Sequence, residues 1–179
     1  MAKSTFKQEL YELNKAAGLA VNQANPNPMT AQRYESMFGH KWKHKKPTKA
    51  SQIETLICDF MRLKGHGAAK VSTTGVYRDN TKVITNVIGQ RVKVGSKGWT
   101  HGQATKGASD LNLIVYGLNW SVEVKFRKDR QSDNQKTFEK MIQKAGGFYS
   151  IVRTLDDFYE QYYNFLELEQ VKIMKQFNK

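Results

Sequence analysis

Two carboxylates and an amine stand close together near the middle of the chain: Asp110, then Glu123-Val124-Lys125. Those side-chain types suit metal-assisted hydrolysis of a phosphodiester. Carboxylates are the ligands that hard divalent cations prefer, and such a cation neutralises phosphate charge and acidifies an attacking water. A lysine on the same face can orient that water or stabilise charge developing on phosphorus. The backbone carbonyl of Val124, between the two charged residues, offers a third oxygen. A plainer reading stays open: Asp110 and Glu123 are solvated strand residues and Lys125 is the salt-bridge partner of one of them. A Glu-x-Lys pattern alone is too short to decide.

Whether these groups can meet depends on the elements that carry them. The runs Leu111-Asn112-Leu113-Ile114-Val115-Tyr116 and Trp120-Ser121-Val122-Glu123-Val124-Lys125-Phe126 read as two strands joined by a tight hairpin. Alternation puts Glu123 and Lys125 on one face and Val122, Val124 and Phe126 on the other. On the first strand Leu111, Leu113 and Val115 form the apolar set, which leaves Asp110 and Asn112 opposite. Burying both apolar sets together requires an even-numbered loop. A two-residue type II′ turn at Gly117-Leu118 satisfies this. It pairs Val115 with Trp120, Leu113 with Val122, Leu111 with Val124 and Asp110 with Lys125. Asp110 and Glu123 then sit diagonally, about 7–8 Å apart or less between β-carbons, close enough to share a cation.

The flanking sequence supplies further elements. Residues 5–18 place Phe6, Leu10, Leu13 and Ala17 at helical spacing with Ser4 as N-cap, and the stretch from Asn22 to Pro28 ends that helix. A short helix from Thr30 to Phe38 precedes a basic run that contains Lys41, Lys43, Lys45 and Lys46. That run divides the chain into an N-terminal helical arm with its basic linker, 1–48, and a domain spanning 49–179. The run serves either as a nucleic-acid contact or as a solvated linker. Ser51 opens a helix striped by Ile53, Leu56, Ile57, Phe60 and Met61 that ends near Gly65, and Glu54 completes a capping box with Ser51. The stretch 71–94 alternates β-formers with polar residues, with a second hairpin turning at Gly89-Gln90.

Residues 95–109 form a Gly-rich loop directly before Asp110. Its glycines permit close approach to a phosphate chain, and Lys97, His101 and Lys106 bring charge; an ordinary connection is the alternative. The spacing of a P-loop is missing, so no nucleoside triphosphate site is implied. After the charged strand, Ser132 begins a helix that buries Phe138, Met141, Ile142 and Ala145, with Gln135 completing a capping box. Gly146-Gly147 stops it, 148–153 is a strand, and the crossover makes that strand parallel to the preceding one. The segment 155–178 is helical, capped by Thr154. Its aromatic residues suit a core or a subunit contact better than base stacking.

Taken in order, Gly107-Ala108-Ser109-Asp110, an apolar strand, Gly117, Glu123-Val124-Lys125, Gln135, Gly146-Gly147 and Ile151-Val152-Arg153 resemble the virus-type replication-repair nuclease (VRR-NUC) domain of the PD-(D/E)xK superfamily. The resemblance covers roughly residues 51–158. It implies an α/β core with a mixed central β-sheet flanked by helices, and divalent-metal-dependent endonuclease activity on DNA, in some members on branched structures such as four-way junctions. It implies Asp110 and Glu123 as metal ligands, Lys125 as the catalytic lysine, Gln135 as a supporting polar residue and Glu54 as an acidic residue on the first helix of the domain. Mg²⁺ or Mn²⁺ is the implied cofactor. Ser109 stands where the superfamily name has proline. Stand-alone forms resemble small phage proteins, which implies the cytoplasm of a bacterial host. A non-catalytic nucleic-acid-binding protein of the same fold and a metal-dependent RNA-cleaving enzyme are the alternatives.

Composition agrees. The 179 residues hold 29 Lys+Arg against 16 Asp+Glu, a net charge of +13, which favours a polyanionic partner. Arg127 extends the basic set beside Lys125. No apolar run approaches the ~20 residues of a spanning helix, so no membrane partner is expected. Cys58 is the only cysteine, which excludes intrachain disulfides and makes residence inside the cell the expectation. The histidines His40, His44, His66 and His101 lack partners at metal-ligand spacing and read as surface or DNA-facing groups. Symmetric cutting of a four-way junction calls for two copies, and Phe6, Leu10, Leu13, Phe158, Tyr159, Tyr162, Tyr163 and Phe165 offer apolar surface for a homodimer. The alternative is that the terminal helices pack on each other within one chain.

Overall fold

Helices and strands follow the hydrophobic periods of the chain. The computed structural model describes residues 5–39, 45–71, 76–100 and 105–177. Its elements run α1 (Phe6–Gln23), α2 (Ala31–Phe38), α3 (Ala50–Leu63), β1 (Gly67–Lys70), β2 (Val76–Asp79), β3 (Lys82–Thr85), β4 (Arg91–Val94), β5 (Lys97–Thr100), β6 (Leu111–Val115), β7 (Leu118–Val124), α4 (Asp133–Lys144), β8 (Phe148–Val152), α5 (Leu155–Leu166) and α6 (Glu169–Phe177). The protein is α/β, with a mixed four-stranded sheet ordered β1-β6-β7-β8. β1, β6 and β7 are antiparallel neighbours, and α4 carries the chain across to β8, which runs parallel to β7.

The hairpin that carries the charged residues turns one position earlier than its sequence suggests. Val115 faces Leu118, so the turn residues are Tyr116 and Gly117, both at positive φ (49° and 84°). That is a type I′ signature rather than type II′. Leu113 accordingly faces Trp120 and Leu111 faces Val122. The displacement is two residues, so the parity of each strand, and with it the buried face, is as expected. Continuing the register by one residue brings Asp110 level with Glu123 instead of Lys125.

One face of the sheet holds the core. Leu111, Leu113, Val115, Trp120, Val122, Val124 and Val152 pack against Ile53, Ile57, Phe60 and Met61 of α3 and Phe158, Tyr162 and Phe165 of α5. Phe6 and Leu10 of α1 are buried in the same cluster, with the Phe6 ring 5.0 Å from Phe60 and 6.2 Å from Phe158. The segment expected to be an arm therefore packs against residues on the far side of position 48. Tyr159 and Tyr163 donate their hydroxyls to Glu9 of α1, which Lys64 also engages at 2.5 Å. The aromatic surface offered for a homodimer is thus largely used within one chain, as the alternative reading had it. His66, expected on the surface, is buried, its Nε2 3.0 Å from the Tyr162 hydroxyl.

Several boundaries move for identifiable reasons. Thr5, not Ser4, caps α1, with Gln8 reciprocating. That helix runs to Gln23 because Asn22 is buried and bonds both the N–H and the carbonyl of Met29, folding the Asn/Pro stretch back onto it. α3 starts at Ala50 and its N-cap is Lys49, without a side-chain cap bond; Gln52 reaches back to Thr48, so the Ser51–Glu54 capping box does not form. α4 has its box between Ser132 and Gln135. None of its residues is buried: it rests on the edge strand β8, where Phe138 and Ile142 are half-covered and Met141 and Ala145 stay exposed. The C-terminal segment is two helices, broken at Glu167-Leu168, with Thr154 capping the first.

The second hairpin is longer than expected. β2 pairs with β5 and β3 with β4, and a single register joins them, with Asp79 opposite Lys97, Asn80 donating to Ser96, and Lys82 opposite Val94. Asn86 and Gln90 close the ladder around Val87-Ile88-Gly89, so Gly89-Gln90 is not the turn itself. Lys97–Thr100, expected within the Gly-rich loop, is a strand.

Candidate active site

The strand ends of the central sheet bring the chemistry together. Asp110 directly precedes β6; its carbonyl accepts the Val71 N–H at 2.8 Å and its Oδ2 accepts the Val124 N–H at 2.8 Å. The carboxylate is therefore fixed against β7 beside Glu123. Glu123 is 1 % exposed and Lys125 5 % exposed, so neither is a solvated strand residue, while Asp110 is half-buried; the other half of the plain reading holds, since Lys125 is the ion-pair partner of Glu123.

A closed network holds them. Glu123 Oε1 accepts from Lys125 Nζ at 2.8 Å and from the Gln135 amide. Lys125 Nζ also donates to Gln135 Oε1 at 2.9 Å and lies 3.6 Å from Asp129. Gln135 Oε1 accepts the Ser132 N–H at 2.9 Å as well, so one side chain both caps α4 and bridges the acid and the lysine. The capping box expected of Gln135 is therefore present, and the same side chain touches both charged residues.

Three carboxylates, Asp110, Glu123 and Asp129, face a single lysine here. Burial, with the neighbouring Asp110 charge adding to it, pushes the Glu123 carboxyl up to about 6, although Lys125 opposes the rise. Asp110 is raised as well, chiefly by burial, against the Val124 N–H and Lys125. Burial disfavours the ionised form of each, and two adjacent carboxylates disfavour it further. Glu123 Oε2 is buried without a partner. Adjacent carboxylates with an orphaned oxygen fit a hard divalent cation.

Other expected site residues lie elsewhere. Glu54 is held by Lys70 at 3.3 Å, and Lys70 also donates to the Ser51 carbonyl and the Thr55 hydroxyl. It does not join the two acids, and among the described residues no group of three or more acidic, His or Cys side chains forms a metal cluster. Val124 is buried, with its N–H committed to Asp110. Lys45, Lys46 and Lys106 are exposed; Arg127 is exposed too, at φ 55°, its guanidinium 5.1 Å from the Phe126 ring. Lys97 is paired with Asp79 at 2.5 Å. Lys41, Lys43 and His101 fall outside the described residues.

Gly107 has a different task from the one its loop suggests. Its φ is +80°, and a β-carbon there would meet the Asn134 carbonyl oxygen at 2.3 Å. The close approach it permits is to the first turn of α4, seating Gln135, rather than to a phosphate chain. Ser109, at the proline position, is buried and donates its hydroxyl to the Leu111 carbonyl. Two contributors escaped sequence reasoning: Asp129, four residues after Lys125, and Tyr149, opposite Ser121 on β8, whose hydroxyl is raised by burial and by Glu123. Alternation along β8 would have placed Tyr149 on the Glu123 face.

Comparison of the chain with family models, with curated proteins and with solved structures gives no match. Among the described residues, no helix is long and apolar enough to cross a membrane.

Proposed function

We infer that the protein is a divalent-metal-dependent nuclease of the PD-(D/E)xK type that hydrolyses DNA phosphodiesters. The observation that carries this reading is the half-buried Asp110 adjacent to the buried Glu123, with one Glu123 oxygen lacking a partner, beside the buried Lys125. Asp110, Glu123 and the Val124 carbonyl would hold Mg²⁺ or Mn²⁺, which supplies charge neutralisation and an acidified water. Lys125, anchored by Glu123 and Gln135, presents its ammonium to the attacked phosphate, and Gln135 keeps it oriented. The net charge of +13 supports a polyanionic substrate. Branched DNA is the substrate class to try first, and symmetric junction cutting would need two copies meeting through surface other than the α1–α5 aromatics.

Incubation with linear, flap and four-way-junction DNA, with an RNA control, with and without Mg²⁺, tests the reading. Asp110→Ala or Glu123→Ala should abolish cleavage while DNA affinity is largely kept, since basic surface supplies most of it. Mg²⁺-dependent cutting by the purified double variant would remove these residues from the centre. Binding without cleavage under every metal would leave the non-catalytic alternative.

A further inference from the structure

The strand pairs β2–β5 and β3–β4 form one two-stranded ribbon whose tip is Val87-Ile88-Gly89. Among its described side chains from Tyr77 to Trp99 none is buried; only Thr81 and Asn86 are even half-covered. Eight of them are large and apolar: Tyr77, Val83, Ile84, Val87, Ile88, Val92, Val94 and Trp99 are all exposed. Such a ribbon does not stand free for its own stability, because exposed paired strands bury too little to be stable alone. Exposed apolar surface of this extent marks a contact.

Charge selects the partner. The ribbon carries Arg78, Lys82, Arg91, Lys93 and Lys97 against the single acid Asp79, which Lys97 already neutralises. In the register of β3–β4, Lys93 and Arg91 share one face with Val83, while Lys82 shares the other with Ile84, Val92 and Val94. Each face therefore carries a cation among its apolar residues. Two ribbons packed together would bury like charges, which disfavours a second copy of this chain. A polyanion with apolar base edges satisfies both components. From Val76 to Val87 the ribbon spans roughly 35 Å at strand rise, about one turn of B-DNA at ~34–36 Å. Its base is near the candidate centre: Val71 donates to the Asp110 carbonyl, and Val76, five residues on, lies within about 18 Å of Val71.

We propose that this ribbon is a duplex-DNA-gripping arm, in which Arg78, Lys82, Arg91 and Lys93 contact phosphates and the tip residues Val87 and Ile88 wedge against a base step. Basic ribbons and strands enter duplex grooves, and apolar side chains inserted between base steps unstack and bend the helix. The arm takes its ligand from the nuclease reading but not its evidence, since gripping needs neither Asp110 nor Glu123.

Full-length protein is titrated in EDTA, where no cutting occurs, against a 2-aminopurine-labelled duplex across a salt series. Replacing Arg78, Lys82, Arg91 and Lys93 by Gln should weaken binding and flatten the salt slope by about 0.9 for each phosphate that is no longer neutralised, roughly 2 to 4 in all. Val87→Asn with Ile88→Asn should leave the slope unchanged and abolish the fluorescence rise that reports unstacking. All six side chains are exposed, so unchanged circular dichroism and melting should accompany both variants. An unaltered slope in the fourfold variant overturns the arm while leaving cleavage to be judged on its own; duplex gripping without cleavage under any metal does the reverse. Failure of the wild type to bind duplex overturns it, as does tighter binding to anionic vesicles than to duplex. So does a halved mass of the ribbon variants in light scattering with DNA affinity retained, which would make the ribbon a contact between copies.

Discussion

Glu123→Gln is the perturbation that most directly tests the electrostatics of the candidate site. The carboxyl rises from an ordinary 4.5 to about 6 in the folded chain. A raised folded pKa means that the native state holds its proton more tightly than the unfolded state. The associated stability is fully present below 4.5 and is lost as pH rises through about 6. Moving a carboxyl from 4.5 to about 6 corresponds to about 2 kcal/mol. Gln mimics the protonated acid: its oxygen can keep the bonds from Lys125 and Gln135, and its amide nitrogen replaces the orphaned Oε2. Urea denaturation at pH 4.5 and at pH 7.5 should show the variant gaining about 2 kcal/mol on the wild type between those two values. Comparing across pH cancels any constant effect of the amide. Mg²⁺ at about a hundred times its Kd should then restore about 2.7 kcal/mol to the wild type at pH 7.5 and almost nothing to the variant. A stability difference that does not change with pH would refute the charge argument. Equal stabilisation of both proteins by Mg²⁺ would refute the assignment of Glu123 as a ligand.

Two further perturbations test how the site is positioned. Gly107→Ala should destabilise by roughly 1–3 kcal/mol, since it combines a left-handed residue with a β-carbon 2.3 Å from the Asn134 carbonyl; a melt matching wild type would show that the loop is not pressed on α4. Phe6→Ala should cost roughly 3–5 kcal/mol in chemical denaturation if α1 belongs to the core, whereas a loss below about 0.5 kcal/mol, the range of surface changes, would restore the view of α1 as an arm.

Parity was the most legible feature of the chain. Alternation along β6 and β7 fixes which side chains are buried, and a two-residue displacement leaves that unchanged, so Asp110, Glu123 and Lys125 share their face under either register. The register itself was not legible. Gly117 fits the first position of a type II′ turn, and only the uncommon positive φ of Tyr116 shows that it is the second position of type I′. Gln135 was legible as a cap from its place at the start of α4, and that same place sets it against Glu123 and Lys125. Glu54 was not, because its partner Lys70 comes from a short strand that the sequence does not announce. The amphipathic character of the first helix is plain in its spacing, but a stripe of apolar residues does not name what it packs against. Gly95 and Gly98 broke the β pattern of the ribbon's return strand; Gly95 is there because a β-carbon would meet the Asn80 carbonyl oxygen at 2.3 Å.

The arrangement of Lys125 argues that the site is organised for more than stability. A lysine needed only to neutralise a buried acid would lie between both carboxylates and leave no oxygen without a partner. Here Lys125 and Gln135 converge on Glu123 Oε1, while Oε2 remains unsatisfied and Asp110 is tied down by a backbone N–H. Burying an unsatisfied carboxylate oxygen is destabilising, and a hydrophobic pair of similar volume would remove that penalty. Local violations of this kind concentrate where function requires them. A cation at Asp110 and Glu123 would supply positive charge and lower both raised carboxyls, while Lys125, bonded to Glu123 and Gln135, would turn its third N–H from the exposed Asp129, 3.6 Å away, towards a phosphate.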